Sequence, residues 1–253
     1  MLYKAYASAV QGIDAQTIVI EVNTGGNVTV GKQFYFLVGL PDNAVKEGSQ
    51  RMEAAFKNSG FQMKRLKTVI NLAPAHLRKE GSAYDLPISI AYLAATVQIQ
   101  PKDLDRYIMM GELSLDGGLR PVRGVLPIAI QARKEKFKGI ILPRENAREA
   151  AIVKDLEVLA ADNLKQVAHF FEGKGQLDRV LFETREQFFY DQANPDIDFS
   201  DVKGQRNIKR ALEIGAAGGH NILLIGPPGS GKTMLARRLP TILPPLNLQE
   251  AFK

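Results

Sequence analysis

Cysteine is absent from the 253 residues. That excludes disulfides, thiol catalysis and cysteine-ligated zinc, and it fits a cytoplasmic protein. Histidine is scarce, and His76, His169 and His220 stand far apart with no metal-ligand spacing. No stretch approaches the roughly 18 consecutive apolar residues of a membrane span. The start, Met1-Leu2-Tyr3-Lys4, lacks the basic segment and apolar run of a signal peptide. There is no internal repeat and no low-complexity tract. Negative charge is in deficit: the net charge is +6, most of it before residue 180. Such an excess permits nucleic-acid contact and equally describes an ordinary solvated surface.

What is present is enough apolar material for a core, at 45% of the residues. The pattern predicts an α/β unit over 1–175. Strands are expected at 17–22, 33–38 and 66–72, with Gly25-Gly26 as a turn after the first. A helix is expected from Asn43 to Asn58, closed by Gly60. A second, mostly apolar helix runs from Asp85 to Gln98, with Asp85 as its N-cap. A strand over 107–115 follows, then helix 125–137, strand 139–143, helix 145–153, strand 156–160 and helix 163–171. This alternation predicts parallel strands joined by helical crossovers. Residues 176–197, acidic and carrying Asn194-Pro195, are expected to link it to a second unit over 198–253.

The second unit carries the strongest motif. The apolar run Asn221 to Ile225, expected as a buried strand, leads into Gly226-Pro227-Pro228-Gly229-Ser230-Gly231-Lys232-Thr233 and then a helix from Met234. This is a complete G-x-x-x-x-G-K-[ST] P-loop in strand–loop–helix context. Its glycines let backbone N–H groups turn toward phosphates. Lys232 would reach the β- and γ-phosphates of ATP, and the Thr233 hydroxyl would ligate Mg²⁺. Only a short tail follows, with Pro244-Pro245 and Glu250 as its last acidic residue. A P-loop ATPase draws its Mg²⁺-binding acidic residue from a later strand. Either the chain is a fragment of a longer protein or the motif is vestigial; because the motif is intact, a fragment is expected, without ATPase turnover by itself.

Two stretches resemble known families. Asp198-Phe199-Ser200-Asp201-Val202-Lys203-Gly204-Gln205, about twenty residues before the P-loop, resembles the start of an AAA+ ATPase module. That resemblance places Val202 and Gly204 near the adenine, and 206–218 as the first helix. His220 reads as a loop residue before the strand. The first unit is similar to the Lon-protease-like fold, of ribosomal S5 domain 2 type. The similarity rests on Arg78 to Ala83, on Gly111 to Leu115, and on Ile140 to Asn146. The proteolytic serine position falls on Ala83, and the lysine position, after Pro121-Val122-Arg123-Gly124-Val125, falls on Leu126. A one-residue slip would bring in Ser82, still without a lysine base. Proteolysis is therefore not expected.

A Lon-like unit without its dyad, joined to an AAA+ start, resembles the ComM/YifB family of magnesium-chelatase-like proteins. Lys79-Glu80-Gly81-Ser82-Ala83-Tyr84-Asp85-Leu86-Pro87-Ile88 follows that family's pattern except at Ser82 and Ala83. The resemblance implies an ATP- and Mg²⁺-dependent hexameric motor that moves branched or single-stranded DNA in recombination and natural transformation. Other readings are an ATP-dependent protease, a metal-insertion ATPase of the magnesium-chelatase kind, and, for 1–175 alone, an interaction module. Lys64-Arg65 with Lys67, Arg78-Lys79, and Arg133-Lys134 with Lys136 and Lys138 are candidate DNA-phosphate contacts or solvated faces. Phe170-Phe171 and Phe188-Phe189-Tyr190 read as packing residues.

Overall fold

The computed structural model describes residues 1–28, 34–181 and 197–243. The chain divides into two compact units, Met1–Phe182 and Glu183–Lys253. The first is mixed α/β. Its strands are β1 (Leu2–Gln11), β2 (Asp14–Asn27), β3 (Tyr35–Val38), β4 (Leu66–Ala73), β5 (Tyr107–Met109), β6 (Glu112–Leu113), β7 (Leu119–Arg120), β8 (Gly139–Pro143), β9 (Glu157–Ala161) and β10 (Asp178–Arg179). Its helices are α1 (Asn43–Ser59), α2 (Asp85–Ala95), α3 (Val125–Lys134), α4 (Arg144–Ala150) and α5 (Leu164–Glu172). Among the described residues, one sheet has the order β10-β9-β8-β5-β1-β2-β4-β3, and β6 pairs β7 separately. The run β1-β5-β8-β9 is parallel, as the strand–helix alternation of that half predicts. The pairings of β2 with β1 and with β4 are antiparallel.

One face of the sheet is built to receive a helix. Ala5 and Ala7 of β1 pair with Ile20 and Ile18 of β2, and Ile20 pairs onward with Leu72 of β4, so all share that face. The small β1 side chains let α2 close in, and all eleven α2 residues are buried. The alternate β1 residues point to the other side, where Tyr6 meets Phe137 edge-on at 5.3 Å, just beyond α3.

The N-terminus of α2 departs from expectation. Asp85 lies inside the helix, and the cap position falls on Tyr84 without a side-chain cap bond. The carboxylate is taken by Arg51 of α1 instead, with Nε donating at 2.6 Å and Nη2 at 3.0 Å. The Leu113 N–H adds a third bond at 3.2 Å. A buried carboxylate needs such partners more than a helix end needs a cap. Gly48 makes the approach possible: a Cβ there would stand 2.6 Å from Asp85 Oδ1.

Other expectations shift for identifiable reasons. The first strand of the unit, β1, carries no anticipated signal because its inward residues are alanines. Gly25-Gly26 is not a turn. β2 runs through it to Asn27, with a register shift between Thr24 and Asn27 that absorbs the pair as a bulge. The expected strand over 107–115 breaks after Met109, where Gly111 N–H turns to the Ala83 carbonyl at 2.9 Å. The expected linker from 176 gives up its start to the sheet: Asp178–Arg179 pairs β9. Residues 182–196 lie outside the described residues, and with them Phe188-Phe189-Tyr190 and Asn194-Pro195.

The second unit holds a short 3-10 turn (Phe199–Asp201), α6 (Arg206–Ala217), α7 (Lys232–Arg238) and a 3-10 turn (Leu239–Ile242). Phe199, Val202, Leu212 and Leu235 form its buried cluster, with Leu224, Leu239 and Ile242 packed on it. The expected buried strand before the P-loop does not form. Residues 221–225 have no ladder partner among the described residues, and Leu223 and Ile225 are 82% and 87% exposed. A strand exists through its neighbours, and apolar composition alone did not supply one.

Candidate functional site

The P-loop is shaped by two left-handed residues, Gly229 at φ 80° and Gly231 at φ 85°. A side chain at either is strained. Between them the chain reverses, with the Ser230 N–H donating to the Pro227 carbonyl at 3.3 Å. Gly226 is also tightly placed, since a Cβ there would meet Ser230 Oγ at 3.0 Å and push it aside. The helix then begins directly at Lys232. Its ammonium folds back into the loop and donates to the carbonyls of Gly226 and Pro227, both at 2.8 Å. Thr233 follows with its side chain on the exposed side. The residues fit Mg²⁺ and ATP phosphates: backbone N–H groups, a cation held at the loop, and a hydroxyl beside it.

Val202 is buried at 1% exposure, while Gly204 lies on the surface at φ 68°. The structure thus separates the roles of the two residues expected near the adenine. Val202 is core, and Gly204 is loop. Gln205, which follows, approaches the P-loop: a Cβ on Gly231 would be 3.6 Å from its Nε2.

Sequence reasoning missed the residue that ties this unit together. Arg238, at the end of α7, donates from Nε to the Asp198 carbonyl at 3.1 Å and from Nη2 to Asp201 at 3.2 Å. The Asp198 N–H and Arg238 hold the Asp201 carboxyl below its usual range. The available signal was the pair of aspartates flanking Phe199, spaced as a capping box.

In the first unit, Ala83 lines a cleft of about 250 Å³ at the C-terminal end of β1. Leu126 is packed partly against the core, and its N–H donates to Glu149 at 3.1 Å. Ser82, the slip alternative, donates to the Glu112 carboxylate. The nearest lysine in sequence, Lys79, is fully buried and donates to the carbonyls of Gly39 and Pro74. Burial holds its pKa below the usual lysine value. It is neither a base for Ser82 nor a DNA-phosphate contact, which corrects one basic cluster. Lys64 is likewise engaged, donating to the Thr96 carbonyl after α2 at 2.7 Å. Lys138 lies over the Tyr107 ring and 3.8 Å from Glu157. Phe170 and Phe171 pack edge-on against Tyr107, as expected of packing residues. No group of His, Asp and Glu suited to a metal occurs among the described residues, and no described helix is long and apolar enough to cross a membrane.

Comparison with known proteins matches two separate stretches of the chain. The family described as subunit ChlI of Mg-chelatase matches residues 20–146, and the family described as magnesium chelatase, subunit ChlI, matches 198–253. A YifB protein of Salmonella typhimurium is 45% identical over 250 residues, covering 98% of this chain and 47% of that protein. The competence protein ComM of Haemophilus influenzae is 40% identical over 248 residues, covering 98% and 48%. The chain thus spans about half the length of these relatives. With both units matched and identity sustained from end to end, the chain belongs to the ComM/YifB family of magnesium-chelatase-like, AAA+ ATPase-type proteins.

Proposed function

We propose that Gly226 to Thr233 binds ATP with Mg²⁺, and that the protein acts as a ComM-type motor. In this reading a hexameric ring drives branched or single-stranded DNA during recombination and natural transformation. The observation that carries it is Lys232, whose ammonium is held by two loop carbonyls at 2.8 Å. The cation is thereby kept at the loop, where a phosphate can compete with those carbonyls for it. Gly226, Pro227, Pro228, Gly229, Ser230 and Gly231 supply the loop, and Lys232 offsets phosphate charge. The Thr233 hydroxyl is the Mg²⁺ ligand of this segment, and Mg²⁺ supplies further neutralisation of the phosphates. Val202 and Gly204 lie near the adenine, Val202 as buried apolar support and Gly204 on the loop above it.

The first unit then serves as a non-proteolytic, Lon-like scaffold for DNA or for ring assembly, with 198–253 opening the AAA+ module. The competence name of the Haemophilus influenzae relative supports the transformation role. The deciding experiment is branch migration of a synthetic Holliday junction by the full-length protein. ATP-dependent migration lost on Lys232→Ala is the expected result. Migration that survives that substitution, or is absent throughout, removes the reading.

A further inference from the structure

The cleft beside Ala83 belongs to no part of the nucleotide-binding reading. Its wall is the end of β1, and the backbone there is open. The terminal pair fixes the parity: Met1 N donates to the Thr24 carbonyl at 2.6 Å, and Thr24 N to the Met1 carbonyl at 3.0 Å. Hydrogen-bonded pairs alternate along an antiparallel ladder. Ala9 and Gln11 therefore turn their backbone groups to β2, and Ser8 and Val10 turn theirs away from it. On that side β1 meets β5 only at Tyr6 and Ile108. Beyond this point the Ser8 N–H finds only the Met110 sulfur, at 3.3 Å. Val10 lines the cleft, and its backbone N–H and C=O, turned away from β2, have no partner among the described residues.

Three side-chain features stand around this edge. Tyr84 lines the cleft and is 3% exposed, and its hydroxyl makes no hydrogen bond among the described residues. Arg123 also lines the cleft and makes no ion pair among the described residues. It is held beside the strand because Gly124 lies against Val10, where a Cβ would come 2.9 Å from Val10 Cγ2. Ala83, Met110 and Ile128 give the cleft an apolar floor. Arg78 is already matched by Glu80 at 3.1 Å, so the unmatched charge is that of Arg123.

We propose that this cleft binds an extended peptide, which adds as a strand along Ser8–Val10, sets an apolar side chain over Ala83 and places an acidic one against Arg123. An open edge satisfies a peptide backbone, and the flanking pocket and charge select its side chains. The Tyr84 hydroxyl supplies a donor to a peptide carbonyl. With Ala83 at the position where the proteolytic resemblance expects a nucleophile, the peptide is held and not cut.

The test is fluorescence anisotropy on the full chain with a fluorescein-labelled hexapeptide of alternating valine and glutamate. The expected result is binding roughly tenfold tighter than for the valine–lysine counterpart, the effect of one charge-assisted bond. Arg123→Gln should erase most of that preference, and Tyr84→Phe should weaken binding severalfold with unchanged melting. Two isomers N-methylated on alternate amides add a test independent of any variant, since strand addition tolerates one and rejects the other. Equal binding by both isomers, no preference for glutamate, or displacement of the peptide by single-stranded DNA would each overturn the proposal.

Discussion

Replacing Arg51 with methionine leaves the Asp85 carboxylate buried with the Leu113 N–H as its remaining donor. Removing one partner of a buried pair costs about 3–5 kcal/mol. Here the low end applies, because the Arg51 side chain is 20% exposed while that of Asp85 is 2% exposed. With a urea slope near 2 kcal/mol/M, a loss of about 3 kcal/mol lowers the unfolding midpoint by about 1.5 M. The cause makes this prediction specific. Burial already raises the Asp85 pKa above 3.8, and Arg51 opposes that rise. Without Arg51 the native-state value climbs further, so the native state binds more protons than the unfolded chain. The stability gained from the protonated carboxyl is full below 3.8. It is lost as pH rises through the native-state value. The deficit of Arg51→Met should therefore shrink as the solution is acidified from neutrality toward about pH 5. Adding Asp85→Asn should restore much of the midpoint at neutral pH. A deficit that is independent of pH, or that the second substitution leaves unchanged, would show that lost packing and not a stranded charge is responsible.

Gly48→Ala should lower the melting temperature despite the better helix propensity of alanine, because its Cβ meets the same carboxylate. Overpacking of this kind costs about 1–3 kcal/mol, and a raised melting temperature would disprove the tight approach. Lys232→Ala should weaken binding of a fluorescent ATP analogue more than tenfold, roughly the value of a charge-assisted contact. Equal affinity would remove Lys232 from the site. Arg238→Ala releases α7 from Asp198 and Asp201, and should weaken the same analogue by less than about fivefold, because it acts through the packing of α7 and not on the nucleotide. A loss as large as that of Lys232→Ala would mean that Arg238 itself touches the nucleotide.

Two helices of the first unit, α1 and α5, were legible because each carries both a period and an end. α1 has Val45, Met52 and Phe56 on one face, and Gly60 at φ 85° closes it. α5 starts at Asn163, whose side chain accepts from the Gln166 N–H at 3.0 Å. What failed were readings that depended on a partner. Asp85 resembles an N-cap until Arg51 arrives from a separate helix. Gly25-Gly26 resembles a turn until β4 offers a strand to bulge against. β1 was invisible because its alanines carry little strand signal, yet that smallness is what admits α2.

The same distinction separates the two candidate sites. A P-loop is a local device whose glycines, lysine and threonine lie within eight consecutive residues, so spacing alone identifies it. The segment before it is not local. Leu223 and Ile225 have strand composition, but their state depends on neighbours that composition does not name. The cleft in the first unit is less local still. Its edge comes from β1, its hydroxyl from the residue before α2, its cation from the residues before α3 and its floor partly from Met110 after β5. No spacing rule joins Val10, Tyr84, Met110 and Arg123. Only the end of β5 at Met109, where the chain turns toward Ala83, opens the edge and makes a site of them.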